Sequence, residues 1–293
     1  MSPIDQNNTG NQGTESLDER ISGAIESVNQ SIDGIVDKFL ESIGLKQFLA
    51  RFGIGIDDVE SGTSSDSRSQ IEQLAISLDP SVIPPFDSVR KYGAAADVPH
   101  NSWCRLEYEG EDTLFYCVPS SSSPGMVMVP ADTMSFITGS MGYRPGQTAT
   151  NLEEFIQSRL VSVDLPSTFT GDVDSIRVSP FIRDSLNQAF RQMEREGVRY
   201  HVHSAGCFCF RGVRGLGRQS RADYVPRMSN HSLGMAIDFN PGSNEYRAGA
   251  TTDMPPRMIS ILKEHGFEWG GDWSTPDMMH FQKTPDDLQL NVA

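Results

Sequence analysis

The sequence predicts a protein of the α+β class, because helical and strand patterns both occur along the chain. Three segments carry this prediction. Apolar residues from Ile21 to Phe39 recur at alternating spacings of four and three, as on one face of a helix. The stretch SWCRLEYEGEDTLFYCV, residues 102–118, alternates apolar and polar side chains around a turn, as in a β-hairpin. A second amphipathic helix is predicted from Ser179 to Gly197.

The residues before the hairpin fall into three predicted segments. Residues 1–16 are polar and form a disordered tail. Residues 17–53 form an amphipathic helical segment whose apolar stripe has the spacing of a coiled coil. Residues 54–76 form a linker that includes a Ser-rich stretch. The stripe either packs within this protein or docks on a partner or a second copy.

Residues 77–150 are predicted to form a small β-rich region without catalytic chemistry. In its hairpin, a two-residue turn at Gly110 and Glu111 is expected to be of type II′, because glycine readily adopts a positive φ angle. This register places Cys104 opposite Cys117. The two thiols then either form a disulfide or pack as small apolar residues.

Composition and charge exclude several classes of protein. The 24 basic and 39 acidic residues give a net charge of -15, which excludes a generic nucleic-acid binder. No stretch approaches the roughly 18 apolar residues of a transmembrane helix, and residues 1–15 lack the pattern of a secretory signal peptide. Four cysteines are too few for a disulfide-built scaffold. Residues 171–293 hold 14 basic and 15 acidic residues, so nearly all the net charge lies before them. This asymmetry favours separate roles for the two parts, or serves solubility alone.

Two short motifs in the last third of the chain carry the strongest chemical signal. SNHSLGMAIDFN places His231 seven residues before Asp238, and PDMMHFQ places Asp277 three residues before His280. Two imidazoles and one carboxylate suit a catalytic Zn²⁺, which keeps a fourth position for water. A second carboxylate is then needed to accept the proton of that water, and Asp277 fits this role. Each motif alone also fits ordinary polar core residues.

Together with GCFCFRGVRG (206–215) and GFEWGGDW (266–273), these motifs resemble the zinc D,D-carboxypeptidase and L-alanyl-D-glutamate endopeptidase family of peptidoglycan hydrolases, which includes phage endolysins. The resemblance covers roughly residues 170–285, with the motifs in the family's order. It implies helices packed against a small antiparallel sheet, with zinc in a groove on that sheet. The corresponding peptidase domain is expected to span 151–293.

The resemblance also assigns roles to single residues. It implies that His231, Asp238 and His280 bind the zinc ion and that Asp277 is the catalytic base. Arg211 matches the family's arginine before the first zinc histidine. An arginine there could bind a substrate carboxylate or stabilise the tetrahedral oxyanion.

Further residues are weaker candidates for substrate binding. Arg214 is the alternative to Arg211, and the long stretch 216–228, with three arginines, forms a lid, a substrate-binding loop or a solvated loop. Trp269 and Trp273 are expected to wall the cleft and brace the strand that follows, each with a structural role as the alternative.

The turn between the two tryptophans is expected to support the site. Gly270 and Gly271 would permit a tight bend beside the metal. Asp272 would hold a ligand histidine.

The segment HVHSAGCFC offers a possible rival to this metal site. His201, His203, Cys207 and Cys209 could together close a structural zinc site. A strand would have to turn back very tightly to bring them together, so core packing is the favoured interpretation.

The implied reaction is hydrolysis of a bond in the peptidoglycan stem peptide, of D-Ala-D-Ala or L-Ala-D-Glu type. Because this substrate lies outside the cytoplasmic membrane and no signal peptide is visible, we expect delivery by a virion, a holin or a contractile injection system. The N-terminal region would then dock on a protein partner. The alternatives are a non-catalytic component of such a particle and a housekeeping periplasmic carboxypeptidase, which would need an export signal.

Overall fold

The computed structural model describes four stretches of the chain, residues 80–122, 124–144, 151–213 and 224–289. The predicted tail, amphipathic helix and linker lie outside these residues. All the described residues belong to one unit of the chain, 76–293. None of the helices within them has both the length and the apolar character needed to cross a membrane.

The first part of the described chain is a three-stranded antiparallel meander followed by a helix. Its elements are β1 (Ser102–Tyr108), β2 (Glu111–Pro119), β3 (Met126–Pro130) and α1 (Ala131–Gly139). Apolar side chains on the two faces of the meander pack into two separate clusters. The predicted β-rich region is therefore a sheet with a core on each side.

The turn of the first hairpin lies one residue earlier than predicted. Tyr108 pairs with Glu111, so the two turn residues are Glu109 and Gly110, with φ angles of 54° and 88°. Positive φ at both positions defines a type I′ turn, whose twist matches that of the flanking strands. The type II′ turn predicted one residue further on is therefore wrong.

This shift separates the two cysteines that the predicted register placed opposite each other. Cys104 pairs with Phe115, and Cys117 pairs with Ser102. Both cysteines are buried free thiols, and burial raises the pKa of each to about 12. They pack as small apolar residues in the smaller core cluster, together with Leu106.

The second part begins with two short strand pairs and the longest helix of the described residues. Its elements are α2 (Leu152–Arg159), β4 (Val161–Asp164), β5 (Phe169–Gly171), β6 (Ser175–Val178), α3 (Pro180–Glu196) and β7 (Tyr200–Val202). β4 pairs with β6 in antiparallel fashion, whereas β5 and β7 are parallel.

Helix α3 confirms the predicted helix and its caps. The Ser179 hydroxyl accepts a hydrogen bond from the Phe181 backbone N–H, and Gly197 ends the helix in the left-handed conformation at φ 68°. Five apolar residues on one face are buried: Ile182, Leu186, Ala189, Phe190 and Met193. This face packs into the main core.

A four-stranded antiparallel sheet completes the fold and confirms the α+β class. The remaining elements are β8 (Ala205–Gly206), β9 (Ala236–Phe239), α4 (Pro256–Glu264), β10 (Glu268–Trp269), β11 (His280–Gln282) and α5 (Pro285–Gln289). The strands lie in the order β10-β11-β9-β8. Arg257 on α4 forms an ion pair with Glu196 at the end of α3, so the two helices lie together.

The main hydrophobic core crosses the domain boundary that was predicted at residue 150. The ring of Phe136 on α1 lies 5.0 Å from that of Phe181 on α3. The ring of Tyr143 lies 5.1 Å from that of Phe155 on α2. Buried residues from both sides of position 150 belong to the same cluster.

Strand β3 also binds the segment that leads to His231. The Met128 N–H donates to the Pro226 carbonyl, and the Met128 carbonyl accepts from the Met228 N–H, both at 2.8 Å. On its other side, this segment pairs with Gly212, next to Arg211. The meander is therefore hydrogen-bonded to the backbone on which the candidate site is built.

Candidate metal centre

Three candidate ligands meet on one face of the four-stranded sheet. His280 on β11 pairs with Asp238 on β9, which pairs with Gly206 on β8. Side chains of directly paired antiparallel residues project to the same face. His231 reaches this face from a short 3₁₀ helix, Asn230–Leu233, that immediately precedes β9.

The donor atoms of these residues converge. Asp238 Oδ1 lies 3.3 Å from His231 Nε2 and 3.0 Å from His280 Nδ1. All three donor atoms lie within 4.8 Å of one another, and both histidines are buried. In the described part of the chain, no other His, Cys, Asp or Glu side chains form such a group of three. Two nitrogens and one oxygen fit the ligand set of a catalytic zinc ion.

The electrostatics of the three groups reflect their proximity. Burial opposes ionisation of Asp238, but hydrogen bonds to His231 and His280 outweigh it and hold the pKa of Asp238 well below its usual range. Burial also opposes protonation of His280, yet its hydrogen bonds to Asp238 and Gln282 raise its pKa. The carboxylate is therefore ionised, as a metal ligand must be.

The outward-facing nitrogen of each histidine has an acceptor. His231 Nδ1 lies 2.7 Å from the Cys207 carbonyl oxygen. A carbonyl only accepts hydrogen bonds, so Nδ1 carries a proton, and Nε2 is the nitrogen that faces Asp238 and could bind a metal. His280 Nε2 lies 2.9 Å from Gln282 Oε1. Such outer contacts orient histidine ligands in metal sites.

Asp277 lies beside the three donors without joining them. Its backbone N–H donates to the Gly270 carbonyl at 2.9 Å, and its carbonyl accepts from the His280 N–H at 3.2 Å. Burial raises the pKa of Asp277, while the charges of His280 and Arg211 act against this rise. Its Oδ1 is buried without a hydrogen-bond partner among the described residues. An unpaired buried acceptor fits a group that binds water or substrate when a metal is held nearby.

Two glycines allow the chain to pass close to the site, as predicted. A Cβ on Gly270 would lie 2.6 Å from the Asp277 carbonyl oxygen. A Cβ on Gly271 would lie 2.3 Å from the ring of Trp269. Any larger residue would have to displace backbone or a half-buried ring.

Arg211 lies close enough to Asp277 to influence its pKa. One guanidinium nitrogen donates to the Gly212 carbonyl at 3.1 Å, and the buried Nε has no hydrogen-bond partner among the described residues. The Arg211 backbone is held by the Ser232 hydroxyl, which accepts from the Arg211 N–H at 2.9 Å and donates to its carbonyl at 2.8 Å. Ser232 therefore links the backbone at Arg211 to the 3₁₀ helix that carries His231.

We expect the substitution Ser232→Ala to destabilise the fold by about 1–3 kcal/mol, because it leaves the part-buried Arg211 N–H without its acceptor, whereas the Arg211 carbonyl keeps its hydrogen bond from the Ser229 N–H. Urea unfolding of both proteins measures this difference. The matched control is Ser88→Ala, which removes an exposed hydroxyl and should cost less than about 0.5 kcal/mol. Equal stability of the two variants would contradict the role of Ser232.

The two tryptophans differ in what they contact. Trp269 stacks on Phe281 at 6.3 Å, and its indole N–H donates to the Met278 carbonyl at 3.0 Å. The Trp273 ring lies 5.1 Å from the His280 ring, and its indole N–H donates to Glu268. Trp269 thus braces the strand, whereas Trp273 covers a candidate ligand.

Other predicted residues lie apart from the site or outside the described chain. Asp272 forms an exposed ion pair with Lys263, so its predicted contact with a ligand histidine is wrong. Arg214 and most of the predicted 216–228 loop lie outside the described residues. His201 and His203 are exposed and face each other. Among the described residues, neither joins Cys207 or Cys209 in a group of metal donors.

Sequence reasoning missed several residues that shape the site. Gln282 and Glu268 both stand in the quoted motifs, but the sequence does not show that their side chains pair. Asn240 adopts a positive φ of 45° just after β9, where its side chain binds the backbone of residues 201–204. Tyr246 pairs with Asp277 and is 40% exposed, so an aromatic ring lies beside the candidate base. Only pairing between distant segments reveals these roles.

Comparison with known proteins agrees with this geometry. A family model described as D-alanyl-D-alanine carboxypeptidase matches residues 224–283. No solved structure matches the chain. The matched segment is about a fifth of the sequence, and it contains the three candidate ligands and Asp277. The match supports, at a coarse level, a relationship to the carboxypeptidase family that the motifs resemble, and with the His-Asp-His cluster it indicates a metallopeptidase.

Proposed function

We propose that this chain is a zinc-dependent peptidase that hydrolyses a peptide bond in the stem peptide of peptidoglycan. One observation carries the proposal. His231, Asp238 and His280 present two nitrogens and one oxygen within 4.8 Å, beside an unpaired buried oxygen of Asp277. The family match supports the peptidase class. The bond is of D-Ala-D-Ala or L-Ala-D-Glu type.

The chain's own groups supply the proton transfers and charge stabilisation. A zinc ion held by the three ligands would activate water and polarise the scissile carbonyl. Asp277 accepts a proton from the attacking water and passes it to the departing amine. Burial raises the pKa of Asp277, which makes it a stronger base than an exposed aspartate. Arg211 donates hydrogen bonds to the developing oxyanion or to a substrate carboxylate.

Trp269, Trp273 and Arg214 complete the proposed substrate-binding groups. Trp273 covers one side of His280, and Trp269 supports the strand beneath it. The 40% exposed ring of Tyr246 belongs to a residue that pairs with Asp277, so it offers a further aromatic surface near the site.

We also propose that the acidic N-terminal region docks on a protein partner. Nearly all the net charge lies before residue 171. Peptidoglycan-bearing walls are largely anionic, so an acidic surface would be repelled by them. A protein of a virion or injection particle is therefore a better partner than the wall itself.

Replacement of the proposed base tests the function directly. We expect Asp277→Ala to keep its zinc and its fold but to hydrolyse peptidoglycan about 10²-fold more slowly or worse, because general acid–base catalysis contributes at least this much. Mass spectrometry of the muropeptides released by the purified protein gives both the rate and the bond that is cut.

The control for this experiment is Asp272→Ala, which removes an exposed carboxylate of the same segment that, among the described residues, pairs only with Lys263. It should retain near wild-type turnover. If Asp277→Ala also turned over normally, Asp277 would not be the base. If the wild-type chain bound zinc but released no muropeptide, the alternative of a non-catalytic particle component would be favoured.

A further inference from the structure

We propose that Gln282 and Glu268 are positioning residues that determine which ring nitrogen of His280 carries the proton, so that Nδ1 is left free to bind the metal. This inference rests on the proposed zinc function. His280 directs Nδ1 toward Asp238 Oδ1 at 3.0 Å and Nε2 toward Gln282 Oε1 at 2.9 Å. A nitrogen that binds a metal must present a lone pair, so the ring proton must reside on Nε2.

The amide of Gln282 is held in the orientation that accepts this proton. Its Oε1 also accepts a hydrogen bond from Asn230 Nδ2 at 2.8 Å, and its Nε2 donates to Glu268 Oε2 at 2.7 Å. An ionised carboxylate only accepts hydrogen bonds, so the amide nitrogen must face Glu268. The amide oxygen must then face His280. The opposite orientation would bring the amide N–H groups against the donors of Asn230 and His280.

Trp273 and Asn230 connect these contacts to the rest of the site. The Trp273 indole N–H donates to the second carboxylate oxygen of Glu268, and its ring lies against His280. Both oxygens of this exposed carboxylate are thus engaged by N–H donors. Asn230 immediately precedes His231. The hydrogen-bonded chain therefore links the segments that carry both histidines.

A proton and a metal ion would compete for the same lone pair on Nδ1 of His280. Without an acceptor at Nε2, a neutral His280 would favour the tautomer whose Nδ1–H donates to Asp238. That proton would lie where the metal must bind. Outer contacts of this kind commonly change metal affinity by about 10–100-fold. Gln282 and Glu268 would therefore control zinc affinity without touching the ion.

Zinc affinity of the full chain, measured by competition with a chromophoric chelator, tests this inference. Gln282→Met removes the acceptor at similar volume and should weaken zinc binding about 10–100-fold. The exchanged pair Gln282→Glu with Glu268→Gln keeps an acceptor oxygen toward His280 and a donor–acceptor contact between the two side chains, and it should restore affinity to near the wild-type value. Glu268→Gln removes the carboxylate that fixes the Gln282 amide, so that this amide can rotate. Zinc binding should then weaken by a smaller factor than in Gln282→Met.

The matched control is Asp272→Asn, a change of the same kind at an exposed carboxylate that pairs with Lys263. It should leave zinc affinity unchanged. The nitrogen-15 chemical shifts of His280, recorded without zinc, should move toward those of the Nδ1–H tautomer in Gln282→Met. A loss of packing alone would not cause this change. Wild-type affinity in Gln282→Met, or equal losses in Glu268→Gln and Asp272→Asn, would overturn the inference. If the zinc proposal itself failed, the wild-type chain would bind no zinc while the tautomer shift persisted.

Discussion

A chain that begins at Asn151 is expected to lose its fold, its metal binding and its hydrolytic activity together. The sequence alone favoured the opposite result, because no catalytic motif precedes Arg211. The shared core changes this expectation. Removal of residues 1–150 would take many buried side chains out of the core: Val89, Trp103, Tyr116, Val118, Val127, Val129, Met134, Phe136, Ile137, Met141 and Tyr143.

The magnitude of this loss decides the outcome. A fully buried large apolar side chain contributes about 1.5–3 kcal/mol, whereas a whole domain is stable by only about 5–15 kcal/mol. The truncation would also expose Phe155 and Phe181, whose aromatic partners would be absent. Met228 would lose the Met128 carbonyl that accepts its N–H, three residues before His231.

Circular dichroism, zinc content and muropeptide release should all be measured on this truncated chain. The control is a chain that begins at Ile76, the first residue of the unit that contains every described residue. It should fold, bind zinc and cut peptidoglycan. Full activity of the Asn151 chain would show that the meander is dispensable for the site. Inactivity of the Ile76 chain would assign a catalytic role to residues 1–75.

His280→Ala is expected to lose both bound zinc and turnover. The substitution removes one of three proposed ligands and leaves the Asp238 carboxylate with one imidazole fewer. Loss of a direct ligand should exceed the roughly 10–100-fold effect of an outer contact. Turnover should therefore fall below that of Asp277→Ala, which keeps its metal.

Elemental analysis and chelator competition measure the metal in this variant. The matched control is His203→Ala, which removes an exposed histidine of the rival cluster and should keep full zinc occupancy. Full occupancy in His280→Ala together with loss of zinc in His203→Ala would transfer the metal to the rival cluster.

Much of the local structure could be predicted because its causes are local. Helix α3 follows from an apolar face, a serine cap and a terminal glycine within one segment. The hairpin was also recognised, but its register depends on which residue pair forms the turn. Glu109 adopts a positive φ that its residue type does not favour, so the turn was placed one residue too late.

The site was predictable only where its residues lie in short motifs. The two histidines and two aspartates stand out as residue types that combine into metal chemistry. The Cys207 carbonyl, Ser232 and Glu268 act through contacts with residues 14 to 24 positions away. No local pattern encodes such distances. The same reason explains why the core shared across residue 150 was missed.

The glycine on β8, which has no side chain, determines what kind of metal site this sheet can form. Gly206 occupies the third place in the row with Asp238 and His280, and a Cβ there would meet no described atom within 4 Å. A donor side chain at this place would face the same side and could supply a fourth protein ligand. Four protein ligands make a closed, structural zinc site, whereas three leave a position for a reactant. The absence of a side chain at Gly206 on this edge strand therefore leaves an open site that can bind a reactant, rather than a closed structural site.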